Sequence, residues 1–517
     1  RPVPVLAPIA FPAPDRHMNP LKKLAKQTAI YGLSSIVGRL INYFLVPLYT
    51  RIFLPSEYGI VTELYAYASF LMIFCTFGME TTFFRFSESD HEKDTVYSTS
   101  LLPVIAFNLV FMALGILGAS YFSDRLHYNH HPEYIVYFVL IVGLDAIASI
   151  PFARLRQQHK ALKFATLKLV NILINIVCNF FFLLLCPYLV RHGYQLPGVL
   201  YHPSGGVGYV FLSNMIASAV TLVILYSDVT SVRFSFDRRL FKEMLWYTLP
   251  LLLAGMAGMV NETLDRILLR FLVVVPQGAG DAAKYVMAQI GIYGANYKVS
   301  ILMTLFIQTF RYAAEPFFFG HAKEKGSREI FSQVMTYFVL FGLAIFLGVM
   351  LNIDIIKHFI GRRFYPGIGI VPILLLANLF LGIIFNLSIW YKLNNMTKYG
   401  AYITIFGAVV TIVSNVVLIP LMGYAGAAWA TFICYFLMML LSYFWGQKYY
   451  YVDYEVAKLV GYFAFAMGIF FVSKLLPFHG LLLSLTANWV LYLIFLGVVY
   501  YREGLSKLLV RRTSEAG

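Results

Sequence analysis

Within ten residues of one apolar stretch the chain places Asn261, Glu262, Asp265, Arg266 and Arg270. The i,i+4 spacings Glu262–Arg266 and Arg266–Arg270 put two guanidiniums beside two carboxylates along one helical face, close enough to pair. A charged side chain at mid-bilayer depth costs several kcal/mol, so it is kept where it faces a partner or a water-filled path. Arg266 also has a counterpart. Arg39-Leu-Ile-Asn-Tyr-Phe-Leu-Val46 and Arg266-Ile-Leu-Leu-Arg-Phe-Leu-Val273 align without a gap at a shift of 227 positions, which also brings Tyr58 onto Tyr285. Two arginines at matching places point to a duplicated transport path.

Other apolar stretches carry polar stripes at helical spacing. Gln289, Tyr293, Asn296, Ser300, Thr304, Gln308 and Arg311 follow at steps of three or four, which keeps them on one face. A straight helix of that extent covers roughly 33 Å, about the hydrocarbon thickness, and so predicts an aqueous lining rather than a packing contact. Lys298 falls on the opposite face and is expected to point away from that lumen. Lys168, Asn171, Asn175 and Asn179 form a second stripe, and Ser35, Arg39 and Asn42 a third. Glu63 and Asp145 are the remaining acids at depth in the first half; each either neutralises an arginine or, once desolvated, titrates as a proton- or sodium-coupling site. Glu262 and Asp265 are coupling candidates on the same grounds.

The elements that must position these groups follow from composition. The chain is 60% hydrophobic and 13% charged, with a mean hydropathy of +0.72, which excludes a soluble globular protein and predicts an all-α integral membrane protein. Apolar segments predict about 14 transmembrane helices, near 29–50, 58–79, 97–122, 133–153, 164–187, 205–227, 245–275, 284–312, 331–351, 368–391, 399–421, 424–446, 455–476 and 480–501. Six precede a basic segment and six follow it, giving two six-helix lobes as a parallel repeat, 18–228 and 245–447. The segment 229–244 is the linker between them, and 448–517 adds helices 13 and 14 and a tail. Residues 1–17 hold five of the 21 prolines and read as a non-native leader, with Met18 the start.

The net charge of +15 does not imply nucleic acid, because Lys and Arg collect in one set of loops. With the N-terminus inside, the inner segments hold about 25 Lys/Arg and the outer ones about 7, so both termini are expected in the cytoplasm. The cysteines Cys75, Cys178, Cys186 and Cys434 lie in apolar spans and read as buried thiols. His127 and His131 lack a ligand cluster, and no nucleophile–base spacing stands out, so neither a metal nor a cofactor is expected.

The segment Tyr31-Gly-Leu-Ser-Ser35, Pro47-Leu-Tyr-Thr-Arg51 and Leu54-Pro55-Ser-Glu57-Tyr58-Gly59 resembles the first two spans of Wzx-like polysaccharide biosynthesis proteins, and Asp265-Arg266 fits the same pattern. These oligosaccharide flippases belong to the multidrug/oligosaccharidyl-lipid/polysaccharide exporter superfamily, which also holds lipid II flippases and multidrug extruders. The resemblance implies two six-helix lobes around a cavity open to alternate sides of a bacterial inner membrane. It implies an undecaprenyl-diphosphate-linked oligosaccharide as cargo, moved from inner to outer leaflet, with contact to polysaccharide assembly proteins. A guanidinium fork suits a diphosphate, so Arg39, Arg266 and Arg270 become candidate headgroup ligands, while Asn42, Lys168, Asn171, Asn175 and Asn296 would meet the sugar. Arg39, with only serine and asparagine nearby, is expected to be the freer phosphate ligand. Alternatives are a lipid II flippase, or a multidrug-type cation exporter, which would need cavity acids without competing guanidiniums. A membrane enzyme would need a catalytic group and a sizeable loop; the loops here are short.

Overall fold

The computed structural model describes residues 40–504 apart from 42, 89–91, 129–130, 199, 231, 233–234, 322–325 and 476–479; the leader, Arg39 and Asn42 lie outside the described residues. All regular elements among the described residues are helical. Twelve helices are long and apolar enough to cross a membrane, and the bent pair Ala282–Val299 and Ile301–Gly320 makes up to 13. The expected span near 29–50 falls mostly outside the described residues, so the expected count of about 14 is close. The chain is a multi-pass membrane protein.

The first bundle contains α1 (Leu45–Ile52), α2 (Pro55–Thr76), α3 (Met79–Ser87), α4 (Lys93–Leu117), α5 (Pro132–Gln157), α6 (Ala161–Phe180) and α7 (Gly208–Thr230). The start of α2 is fixed locally: Pro55 occupies the first turn, and the Glu57 carboxylate accepts from the Leu54 amide at 2.7 Å. Its end is equally defined. Phe77 and Gly78 both take left-handed backbone angles, φ 50° and 64°, which breaks the helix before α3.

The second bundle begins with α8 (Arg238–Leu272) and continues through α9 (Ala282–Val299), α10 (Ile301–His321), α11 (Ser327–Leu351), α12 (Val371–Leu387), α13 (Thr397–Met422) and α14 (Tyr424–Tyr449). Two appended helices, α15 (Val456–Leu475) and α16 (Leu481–Arg502), pack on α11. Helix continues to Thr230 and resumes at Arg238, inside the segment read as a linker. Asp237 is the reason: its carboxylate accepts from the Arg239 and Leu240 amides at 2.8 and 3.1 Å and caps α8.

At 35 residues α8 extends roughly 52 Å, more than the hydrocarbon layer, and it belongs to both bundles. Its first turns bury Leu240 and Met244 among Met79, Phe83, Tyr97 and Leu101 of the first bundle, and the Thr248 and Thr82 hydroxyls meet at 2.5 Å. Its last turns bury Leu269 against Ile290, Tyr293 and Ile419 of the second. The end of the bundle holding the 231–237 connection is called the linker face below.

At the far face the bundles press together along α2 and α9. A Cβ at Gly59 would fall on the Met287 carbonyl, and one at Gly291 on the Pro55 carbonyl, both well inside 3.0 Å. Only glycine permits backbones that near. The contact is extended by the Gly361 amide, which donates to Thr50 Oγ1 at 3.0 Å, and by Arg51, which donates to the His358 carbonyl at 2.9 Å.

Candidate functional site

Toward the linker face from this seal, the bundles diverge around a cavity of about 400 Å³. The first bundle supplies Tyr58, Thr62, Tyr65 and Ser69 from α2, with Tyr43 just before α1; the second supplies Glu262, Thr263 and Arg266 from α8, Tyr297 and Lys298 from α9, and Thr304 and Gln308 from α10. The α2 stripe recurs at three or four residues, the spacing of one helical face. Because α2 runs from the seal toward the linker face, Tyr58 lies deep and Ser69 nearer the mouth.

Arg266 is held on several sides. Its guanidinium donates to the Glu262 carbonyl at 2.7 Å and to Asp265 Oδ1 at 3.4 Å, and stands 4.3 Å from the centre of the Tyr297 ring. Asp265 is buried; its other oxygen accepts from the Tyr293 hydroxyl and, at 3.5 Å, from Thr431. The acid thus anchors the arginine to α9 and α14, leaving the guanidinium face toward the cavity. Lys298 Nζ lies 5.3 Å over the Tyr43 ring and forms no ion pair among the described residues. Glu262 is exposed to the cavity, and its carboxylate likewise has no ion pair among the described residues.

These positions correct two expectations. The i,i+4 pairing of Glu262 with Arg266 does not form: the arginine takes the neighbouring Asp265 and the Glu262 carbonyl instead. Lys298 was placed opposite the lumen on the assumption of one straight helix, yet it lines the cavity. The helix is broken at Ser300, where α9 and α10 meet at 52°, so the polar stripe is divided. Thr304 and Gln308 keep to the cavity, whereas Tyr293 turns to Asp265 and buried Asn296 donates to the Phe364 carbonyl at 2.9 Å.

Arg270 sits one turn beyond Arg266 and has a different task. It donates to both oxygens of Glu63 on α2 at 3.0 and 2.8 Å, and to the Leu126 carbonyl. Glu63 is fully buried and also accepts from the Tyr128 hydroxyl at 2.8 Å. Burial, with the Glu63 carboxylate beside it, pushes the Tyr128 phenol well above its usual range, so it remains a donor. The pair therefore joins the two bundles at the seal.

Asp145, Lys168 and Asn171 lie in a separate cavity of about 360 Å³ inside the first bundle. Lys168 Nζ rests 4.1 Å over the Phe152 ring, and Asn171 donates to Thr221 at 2.9 Å. Asn175 is farther along, accepting from Asn179, which in turn accepts from Tyr49 at 2.9 Å. The cavity tyrosines were not singled out from the sequence as lining; only Tyr43 and Tyr58, through the repeat match, carried any signal.

The two helical bundles meet at the seal and part around a polar, aromatic cavity. Residues 24–321 match the family of polysaccharide biosynthesis proteins, and the chain belongs to that family. No curated protein matches the sequence. Among solved structures the chain is similar to the lipid II flippase MurJ in an inward closed conformation, with TM-score 0.65, 14% identity and coverage of 91% of this chain and 99% of that one. It is also similar to a multidrug resistance MATE family transporter of the MOP superfamily in an inward-facing conformation, with TM-score 0.62, 12% identity and coverage of 83% and 97%. The chain shares its fold with these two structures.

Proposed function

We propose that the protein is a flippase that carries a diphosphate-linked oligosaccharide on a prenyl lipid across a bacterial inner membrane by alternating access. The observation that carries this reading is the pair Arg266 and Lys298, cationic and adjacent to tyrosines in the cavity between the bundles. A diphosphate is met by guanidinium and ammonium, and pyranose rings stack on phenols while Thr62, Ser69, Thr304 and Gln308 hydrogen-bond their hydroxyls. The charged part of the cargo would sit deep, beside the seal, with the sugar toward the linker face. Both termini and that face are assigned to the cytoplasm from the loop charges, so this conformation would load from inside. Arg39 remains a further phosphate ligand in this reading, and Asn42 a sugar contact.

Glu262 is the acid best placed to couple the cycle to protons or sodium. Its carboxylate lines the cargo cavity with no ion pair among the described residues, so it is placed to hold a cation that travels with the cargo. Asp265 and Glu63 are already committed to Arg266 and Arg270. Asp145 lies away from the cargo cavity. The fold likeness to a lipid II flippase favours lipid II as the alternative cargo. A cation exporter is disfavoured by the two cavity cations.

The test is equilibrium binding of a short-chain prenyl diphosphate oligosaccharide to purified protein. Arg266→Ala and Lys298→Ala should each weaken binding by roughly ten- to a hundredfold, the worth of a charge-assisted hydrogen bond. Unchanged affinity in both variants would remove the cavity from the reading, and tighter binding of a lipid II analogue would exchange the cargo.

A further inference from the structure

A second cationic recess lies outside the central cavity, at the far face, where the ends of α1 and α6 meet. It encloses about 980 Å³ and presents Arg51, Arg191 and His192 with no carboxylate among its lining residues. Its wall is apolar: Phe180, Leu184 and Leu185 are each 46% exposed. The wall owes its shape to a π-helical turn over Phe181–Leu185, followed by the short helix Cys186–Arg191. Such a turn inserts one residue into the helical register and is common where a helix shapes a binding surface.

The donors are largely available. Arg51 uses one nitrogen on the Pro47 carbonyl and another on the His358 carbonyl, which leaves further N–H groups of its fork free. Arg191 is exposed and has no ion pair or hydrogen bond from its side chain among the described residues. His192 directs Nδ1 to the Tyr188 carbonyl at 2.8 Å, and its Nε2 has no hydrogen bond among the described residues. Charged groups at helix ends above an apolar wall match a lipid whose phosphate lies at the interface and whose chains run into the bilayer.

We infer that this recess is a binding site for an anionic glycerophospholipid, with Arg51 and Arg191 on its phosphate and its acyl chains along Phe180, Leu184 and Leu185. The site is separate from the cargo cavity and does not depend on the flippase reading. Through Arg51 an occupied site also braces the bond to His358 that joins the bundles, so the lipid favours the sealed far face.

The experiment is native mass spectrometry of the full chain in detergent with equimolar dioleoylphosphatidylglycerol and dioleoylphosphatidylcholine. The wild type should retain the anionic lipid with a roughly tenfold preference, and Arg191→Gln with His192→Gln should bring that ratio near one. Arg266→Ala should leave the preference intact. Wild-type preference in the Arg191→Gln, His192→Gln protein would overturn the assignment, as would loss of preference in Arg266→Ala, which would place the lipid in the central cavity. Displacement by glycerol 1-phosphate at equal concentration would overturn the role of the acyl chains, and selective displacement by a prenyl diphosphate would make the recess a cargo station instead.

Discussion

Removing one partner from the Glu63–Arg270 pair leaves a buried charge without compensation, because Glu63 is fully buried and the arginine side chain is only 10% exposed. Arg270→Ala or Glu63→Ala should each destabilise the protein by about 3–5 kcal/mol, whereas the double variant should cost clearly less than the sum. Thermal unfolding in detergent across the four-protein cycle measures this; additive losses would mean that the two side chains are not coupled. The sequence allowed Glu63 to neutralise an arginine but could not say which one, since Arg270 is 207 positions away. Arg266 shows the same difficulty on a smaller scale: spacing offered Glu262, but the neighbouring Asp265, oriented by Tyr293 and Thr431, takes the arginine. Helical spacing says which residues share a face, not which rotamer each adopts.

Among the elements, apolar length marked the spans well because hydrophobic thickness imposes it directly. What length does not encode is where a span breaks. Ser300 carries no proline or glycine signal, yet the 52° bend there divides a seven-residue stripe and turns Lys298 into the cavity. The close contact of α2 with α9 was equally hidden, for it depends on Gly59, Gly291 and Gly294 meeting across the bundles. That contact makes a prediction of its own. A Cβ at Gly294 would stand 3.1 Å from Thr62 Cβ, inside the roughly 3.5–4.5 Å that a disulfide spans, so Thr62→Cys with Gly294→Cys in a background lacking the four native cysteines should cross-link only as α2 and α9 give by a few tenths of an ångström. The cross-linked protein should stop transporting and recover with reductant; full activity in the oxidised form would show that the far face need not open here.

For the molecule as a whole, the all-helical membrane fold was legible from composition, and the family from the motifs between residues 31 and 59. The cavity's chemistry was legible in part: Arg266 and the helix carrying it were singled out, while its aromatic walls were not, because tyrosines in an apolar span look like packing. The proposed function requires Arg266 and Lys298 to hold a diphosphate between the bundles. Leaflet translocation of a lipid-linked oligosaccharide in proteoliposomes tests this most directly. Arg266→Ala with Lys298→Ala should insert normally and translocate at least about a hundredfold more slowly than the wild type, as expected for two lost charge-assisted contacts. Translocation at the wild-type rate would contradict the account.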